Sequence, residues 1–66
     1  MELPRILFKN KWYTFDYRLS ELRVTTKKGI RSINLNNTEL ELLDYAIKNK
    51  DKHLILSNMK DLEYKL

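Results

Sequence analysis

Between Pro4 and Leu35 the residues read as short strands, in which apolar side chains recurring at every second position gather on one face. A two-residue turn at Asn10-Lys11 sets Lys9 across from Trp12, Phe8 from Tyr13, Leu7 from Thr14, Ile6 from Phe15 and Arg5 from Asp16. One face then collects Ile6, Phe8, Tyr13, Phe15 and Tyr17; the other collects Arg5, Leu7, Lys9, Trp12, Thr14 and Asp16. A slip of one residue mixes the two faces, so the segregation argues for the register. Asn10 suits the left-handed backbone of such a turn, and Pro4 suits the start of an edge strand. A second turn at Lys28-Gly29 sets Val24 across from Ile33, Leu22 from Leu35 and Thr26 from Arg31. A three-residue turn ending at Gly29 opposes Val24 to Ser32 instead, and is less favourable. Residues 18–21 join the hairpins. Residues 4–35 are thus expected to form an antiparallel meander of about four strands with one apolar face.

Past Leu35 the period changes. Leu40, Leu43 and Ile47 are spaced by three and four, and Leu42 and Ala46 widen the stripe. Thr38-Glu39-Leu40-Glu41 reads as a capping box, with Thr38 as cap and Glu41 reaching back. Acids early and Lys48 and Lys50 late match the helix dipole. A helix over about 38–50 follows. Beyond it, Leu54-Ile55-Leu56 alone fits a strand over 53–57. Ile55, Met59, Leu62 and Leu66 are spaced as a helical face, with Asp51 able to cap, so a second helix over about 52–66 is preferred.

The fold class expected is therefore α+β, an antiparallel β-meander of about four strands followed by two helices packed on one face. The whole of 1–66 forms a single domain, with 4–35 the meander and 38–66 the helical part. The core drawn from these patterns is Ile6, Phe8, Tyr13, Phe15, Leu22, Val24, Ile33, Leu35, Leu40, Leu43, Ile47, Ile55, Met59 and Leu62. At 66 residues and without a cysteine, the domain has neither length nor disulfides in its favour. A homodimer through helix faces is one way to find more burial. The Met59, Leu62 and Leu66 stripe running to the last residue, with Tyr45 and Tyr64 beside it, is the surface expected to serve.

Charge divides the chain. The formal net charge is +4, but residues 1–35 carry eight bases against three acids, while residues 36–66 are nearly neutral. Five of the seven aromatic residues, from Phe8 to Tyr17, lie within ten positions of that basic half. A basic, aromatic surface collects acidic protein surfaces or nucleic acid, or simply keeps a small domain dispersed.

The composition excludes much catalysis. One histidine and no cysteine preclude a Cys/His metal centre. His53, the only imidazole, reads as a partly exposed polar residue. A single glycine cannot build a phosphate-binding loop. Glu39/Glu41 and Asp61/Glu63 are two apart, so on a helix each pair diverges. No catalytic, cofactor-binding or metal residue is expected, and the protein is not expected to be an enzyme. No apolar run reaches the ~20 residues of a membrane span, which argues against a membrane partner. Met1-Glu2-Leu3-Pro4-Arg5 has no signal-peptide pattern, so a cytoplasmic location is expected. A recognition helix of the helix-turn-helix kind is poorly supported, because Lys60 and Lys65 are diluted by Asp51, Asp61 and Glu63.

What remains is binding. Arg5, Lys9, Lys11, Trp12, Lys27, Lys28 and Arg31 are the expected partner-binding residues, gathered on the outward sheet face and its turns. Trp and Arg are enriched at interface hot spots, which favours a protein partner. The same face suits sequence-tolerant single-stranded nucleic acid, but with most aromatics claimed by the core, Trp12 leaves a stacking platform one ring wide. The plainer reading is that Trp12 is a half-buried edge ring covered by the Lys9 stem.

Asp16-Tyr17-Arg18-Leu19 followed by Leu22-Arg23, and Glu39-Leu40-Glu41-Leu42-Leu43 opening a helix, resemble small phage and prophage proteins of low-GC bacteria. The Lys, Asn, Ile and Leu content fits an AT-rich genome. The resemblance covers about half the chain. It implies a small protein that binds and alters a host protein or a defence complex, or a small regulator. Inhibitors that imitate DNA are strongly acidic, and a chain at +4 departs from that pattern.

Overall fold

The computed structural model describes residues 2–66. Four strands, β1 (Arg5–Phe8), β2 (Lys11–Asp16), β3 (Glu21–Thr26) and β4 (Gly29–Asn34), form one antiparallel sheet in the order β1-β2-β3-β4. Two helices follow, α1 (Asn37–Lys48) and α2 (Lys52–Asp61), and a 3-10 turn at Glu63–Lys65 ends the chain. The architecture is the expected α+β meander with two helices, and residues 53–57 are helical rather than a fifth strand. Neither helix is long and apolar enough to cross a membrane.

Both hairpins differ from expectation by the same step. β1 and β2 turn at Lys9-Asn10, pairing Phe8 with Lys11, Leu7 with Trp12, Ile6 with Tyr13 and Arg5 with Thr14. Both turn residues have positive φ, 50° and 64°, as a type I′ turn requires. Lys9 is an unfavoured residue for that conformation; in return its ammonium pairs with Glu63 and lies 5.7 Å from the Phe8 ring. β3 and β4 turn at Lys27-Lys28, pairing Thr26 with Gly29, Val24 with Arg31 and Leu22 with Ile33. Only Gly29 then carries a positive φ, 120°. The expected Lys28-Gly29 turn places a lysine there as well, and the observed one spends the chain's one glycine where it is needed. The Thr26 hydroxyl braces this turn, accepting from the Lys28 N–H and donating to the Gly29 carbonyl. Each pairing moves by two, so the shift itself turns no strand residue to the other face. We expect Lys9→Asn combined with Asn10→Gly to raise stability by up to about 1 kcal/mol, because Asn-Gly relieves the left-handed strain. Thermal unfolding followed by circular dichroism checks this; a lower midpoint means the Lys9–Glu63 pair outweighs the turn.

The inward positions make the core. Ile6, Phe8, Tyr13, Phe15, Leu22, Val24, Ile33 and Leu35 are buried beneath Leu40, Leu43, Met59 and Leu62, with Ile47 and Ile55 partly buried at its margin. Ala46 is buried too. Tyr17, expected inside, is exposed in the β2–β3 loop. Its ring stands edge-on to Phe15 and its hydroxyl donates to Glu41 at 2.8 Å. That bond and the neighbouring carboxylate raise its pKa. Asp16, expected outward across from Arg5, is buried across from Glu21. It bonds Arg23 at 3.2 Å and accepts the Leu19 N–H, which closes the loop.

The first helix is capped two residues earlier than expected. Asn36 is the cap: its side chain accepts the Glu39 N–H at 2.8 Å, and Glu39 reaches back to the Asn36 N–H at 2.9 Å. The Asn-x-x-Glu and Thr-x-x-Glu boxes overlap here, and the earlier one wins for a packing reason. It places Leu35 before the cap and Leu40 in the first turn, both buried, as a hydrophobic staple. Asn36→Ala is expected to cost about 1 kcal/mol and Thr38→Ala less than about 0.5 kcal/mol. Urea unfolding of the two variants distinguishes the frames, since the later box predicts the opposite order.

Met59 is wholly buried and Leu62 nearly so. The stripe expected to seek a second copy is thus covered by the chain's own sheet, leaving Tyr45 and Tyr64 exposed. The last residues are tied down by polar contacts. Lys65 donates to Glu39 at 2.6 Å and to the Asn34 carbonyl at 3.0 Å. Tyr64 donates to Glu39 at 2.7 Å. Arg31 donates to the carbonyls of Lys65 and Leu66.

Candidate sheet-face binding surface

Helices cover one face of the sheet; the other is open, and its side chains stand in three rows across the strands. Leu7 faces Trp12, and Thr25 faces Ile30. One step beyond the Tyr13–Val24 pair, Trp12 lies across from Thr25. Leu7, Trp12, Thr25 and Ile30 therefore form one mostly apolar row. Arg5, Thr14, Arg23 and Ser32 form the next, paired in sequence across the sheet. Asp16, Glu21 and Asn34 form the third.

The apolar row is the unusual one. Leu7 is 50% exposed, Trp12 52% and Ile30 73%. A solvated face of an antiparallel sheet ordinarily carries polar residues, and grouped exposed apolar side chains mark interaction surfaces. Arg5 lies over the Trp12 ring, 4.8 Å from its centroid, an attraction of about 0.5–1 kcal/mol at an exposed site. The contact keeps the guanidinium beside the ring. Arg23 is held from the other side by Asp16 and Glu21, at 3.2 and 3.1 Å. Between these side chains lies a shallow concavity of about 480 Å³, floored by Thr14 and Thr25 and bordered by Trp12, Ile30, Arg5, Arg23 and Lys11.

The residues expected at this surface separate into three groups. Arg5, Trp12 and Lys11 do meet at the concavity. Lys27 and Lys28 sit exposed at the tip of the second hairpin and do not line it. Lys9 and Arg31 lie on the opposite, helix-bearing side, the first paired with Glu63 and the second bonded to the chain's last carbonyls. Arg31 shares its face with Ile33, because both alternate with outward Ser32 and Ile30. Sequence reasoning missed Arg23, Thr25 and Ile30 as members of the site. The alternation that marked Leu22 and Val24 as inward already made Arg23 and Thr25 outward. Ile30 was hidden by its place beside the turn. His53 is exposed in the first turn of α2 and does not line the concavity. Comparison with protein-family models, with curated proteins and with solved structures finds no match.

Proposed function

We propose that this chain is a non-catalytic binding domain that docks on another protein through the open face of its sheet. The observation that carries the reading is the exposed Leu7, Trp12, Thr25 and Ile30 row flanked by Arg5. An apolar strip with an aromatic anchor and a guanidinium beside it is the composition of an interface centre. The likeness to small phage proteins makes a bacterial cytoplasmic protein the partner to seek.

The rival is single-stranded nucleic acid on the same face, favoured by the cationic border of the concavity. It is the weaker reading on two counts. Arg5 already occupies one face of the only exposed indole, and Arg23 is neutralised by two carboxylates, so one stacking surface and few free cations remain.

Capture from bacterial lysate on immobilised wild-type and Trp12→Ala chains, with and without nuclease, tests both. A nuclease-resistant protein should be retained by the wild type and lost, with affinity reduced about 30-fold or more, by Trp12→Ala. Lys27→Ala and Lys28→Ala should retain it. Titration with an oligothymidylate decides the rival: binding at low salt that falls steeply with log salt would replace the protein-binding reading.

A further inference from the structure

The first strand is an edge of the sheet, and its bonding parity is fixed by one contact. Phe15 donates its N–H to the Pro4 carbonyl at 2.8 Å. Bonded and non-bonded residues alternate along an antiparallel pair, so Pro4, Ile6 and Phe8 turn their peptide groups toward β2. Those of Arg5 and Leu7 point away from it, to the open edge. The opposite edge is different. Leu35 bonds toward Ser20, which turns the Asn34 carbonyl outward, and there Lys65 caps it.

Beside β1 runs a groove of about 500 Å³ that wraps the edge. Its walls come from both layers: Leu7 and Trp12 from the outer face, Ile55 and Leu56 from α2. Its two charged members, Arg5 and Lys52, are both cations, and among the described residues neither forms an ion pair. An added strand sends alternate side chains to opposite faces. One set would meet Leu7 and Trp12, the other Ile55 and Leu56. A second copy of this edge would set Arg5 and Lys52 against the same cations, which like-charge repulsion opposes.

We propose that β1 takes an extended acidic-and-apolar segment of a partner protein as a fifth strand, its main chain bonded to Arg5 and Leu7 and its carboxylates placed on Arg5 and Lys52. This rests on the protein-binding reading and specifies the partner's chemistry. Main-chain bonds would supply sequence-tolerant affinity, and the groove would supply the choice of side chains.

The test is selection of a displayed library of random linear twelve-residue peptides on the full chain. Enriched sequences should alternate apolar residues and carry Asp or Glu. A synthetic peptide from the selection should change Trp12 fluorescence and slow amide exchange at Arg5 and Leu7. A chemically synthesised chain methylated on the Leu7 peptide nitrogen, which leaves the bonds to β2 intact, should bind about tenfold or more weakly. Lys52→Glu, on the exposed start of α2, should do the same and needs no unusual backbone. Failure of the selection to enrich any peptide overturns the proposal. Enriched peptides that leave the Arg5 and Leu7 amides and the methylated chain unaffected also overturn it, while lysate capture through Trp12 would still stand. Doubling of the sedimenting mass without peptide, abolished by the same methylation, would assign the edge to a second copy instead.

Discussion

Phe15→Ala is expected to bring the chain to the edge of unfolding at room temperature. Phe15 sits in the middle of the sheet's inner face, 2% exposed, with its ring against Tyr17. Truncating a buried phenylalanine costs about 3–5 kcal/mol through lost transfer energy and the cavity left behind. Domains as a class hold about 5–15 kcal/mol, and one this short without disulfides belongs near the bottom of that range. Urea unfolding by circular dichroism should show a collapsed or absent folded baseline for Phe15→Ala. Phe15→Leu, which keeps most of the volume, should stay folded and lose about 1–2 kcal/mol. An alanine variant whose urea midpoint matches that of the wild type would place the core elsewhere.

Acid should release the end of the chain before it melts the sheet, and Glu39 is the reason. Burial alone pushes its carboxyl upward. Hydrogen bonds from Lys65, the Asn36 N–H and Tyr64 outweigh that and hold it below the ordinary glutamate value. A carboxyl depressed in the folded state adds stability above its unfolded pKa, and that stability is lost as pH falls through the folded value. Lys65 answers in the opposite sense. Its bond to Glu39 raises its pKa, so its contribution is present below the ordinary lysine value and lost as pH rises through the raised one. The anchor is therefore strongest between the carboxylate and lysine ranges. Glu39→Ala removes the reciprocal cap bond and both anchors, at a cost of about 2–3 kcal/mol near neutrality. Glu39→Gln keeps the cap geometry and should cost less, while flattening the acid limb of stability against pH. Amide exchange of residues 63–66 at pH 7 and pH 3 reads the release directly. Equal protection at the two values would show that packing of Leu62, not Glu39, holds the turn.

Face and register were not equally legible in the sequence. Alternation of Ile6 and Phe8 with Arg5 and Leu7 determines which side of the sheet each residue takes, and every strand residue of the expected core took it. Alternation is blind to a shift of two, and both hairpins differ by that amount. The turn must settle it, and at Lys9-Asn10 the local preference of Asn for the first turn position did not hold: Lys9 takes that position and pairs with Glu63, 54 residues away. The capping box failed in the same manner, because two overlapping boxes are offset by two and only the buried Leu35–Leu40 staple separates them. The site was legible where it depends on alternation, as at Arg5 and Trp12. It was illegible at Lys9, whose partner lies in the terminal turn; Arg31 alternates with Ile33, so its inward place was readable although it was expected outward. Asp16 kept its outward place but is buried there for a related reason: its carboxylate closes a loop and finds Arg23, which no periodicity reports.

Each strand pairs only with its neighbour along the chain, and this has a consequence for the chain as it is made. All three ladders are local, so the meander can zip up as each arm leaves the ribosome, without waiting for distant segments. Its lining is not local. Leu43, Met59 and Leu62 close over Phe8, Phe15 and Leu22 only when α1 and then α2 arrive. A nascent chain that has emerged as far as Lys50 would carry a formed sheet with an oily underside partly open to water. Such a species is prone to stick to its neighbours or to a chaperone. Passage from α1 to α2, not strand pairing, is then the interval in which synthesis is most exposed to aggregation.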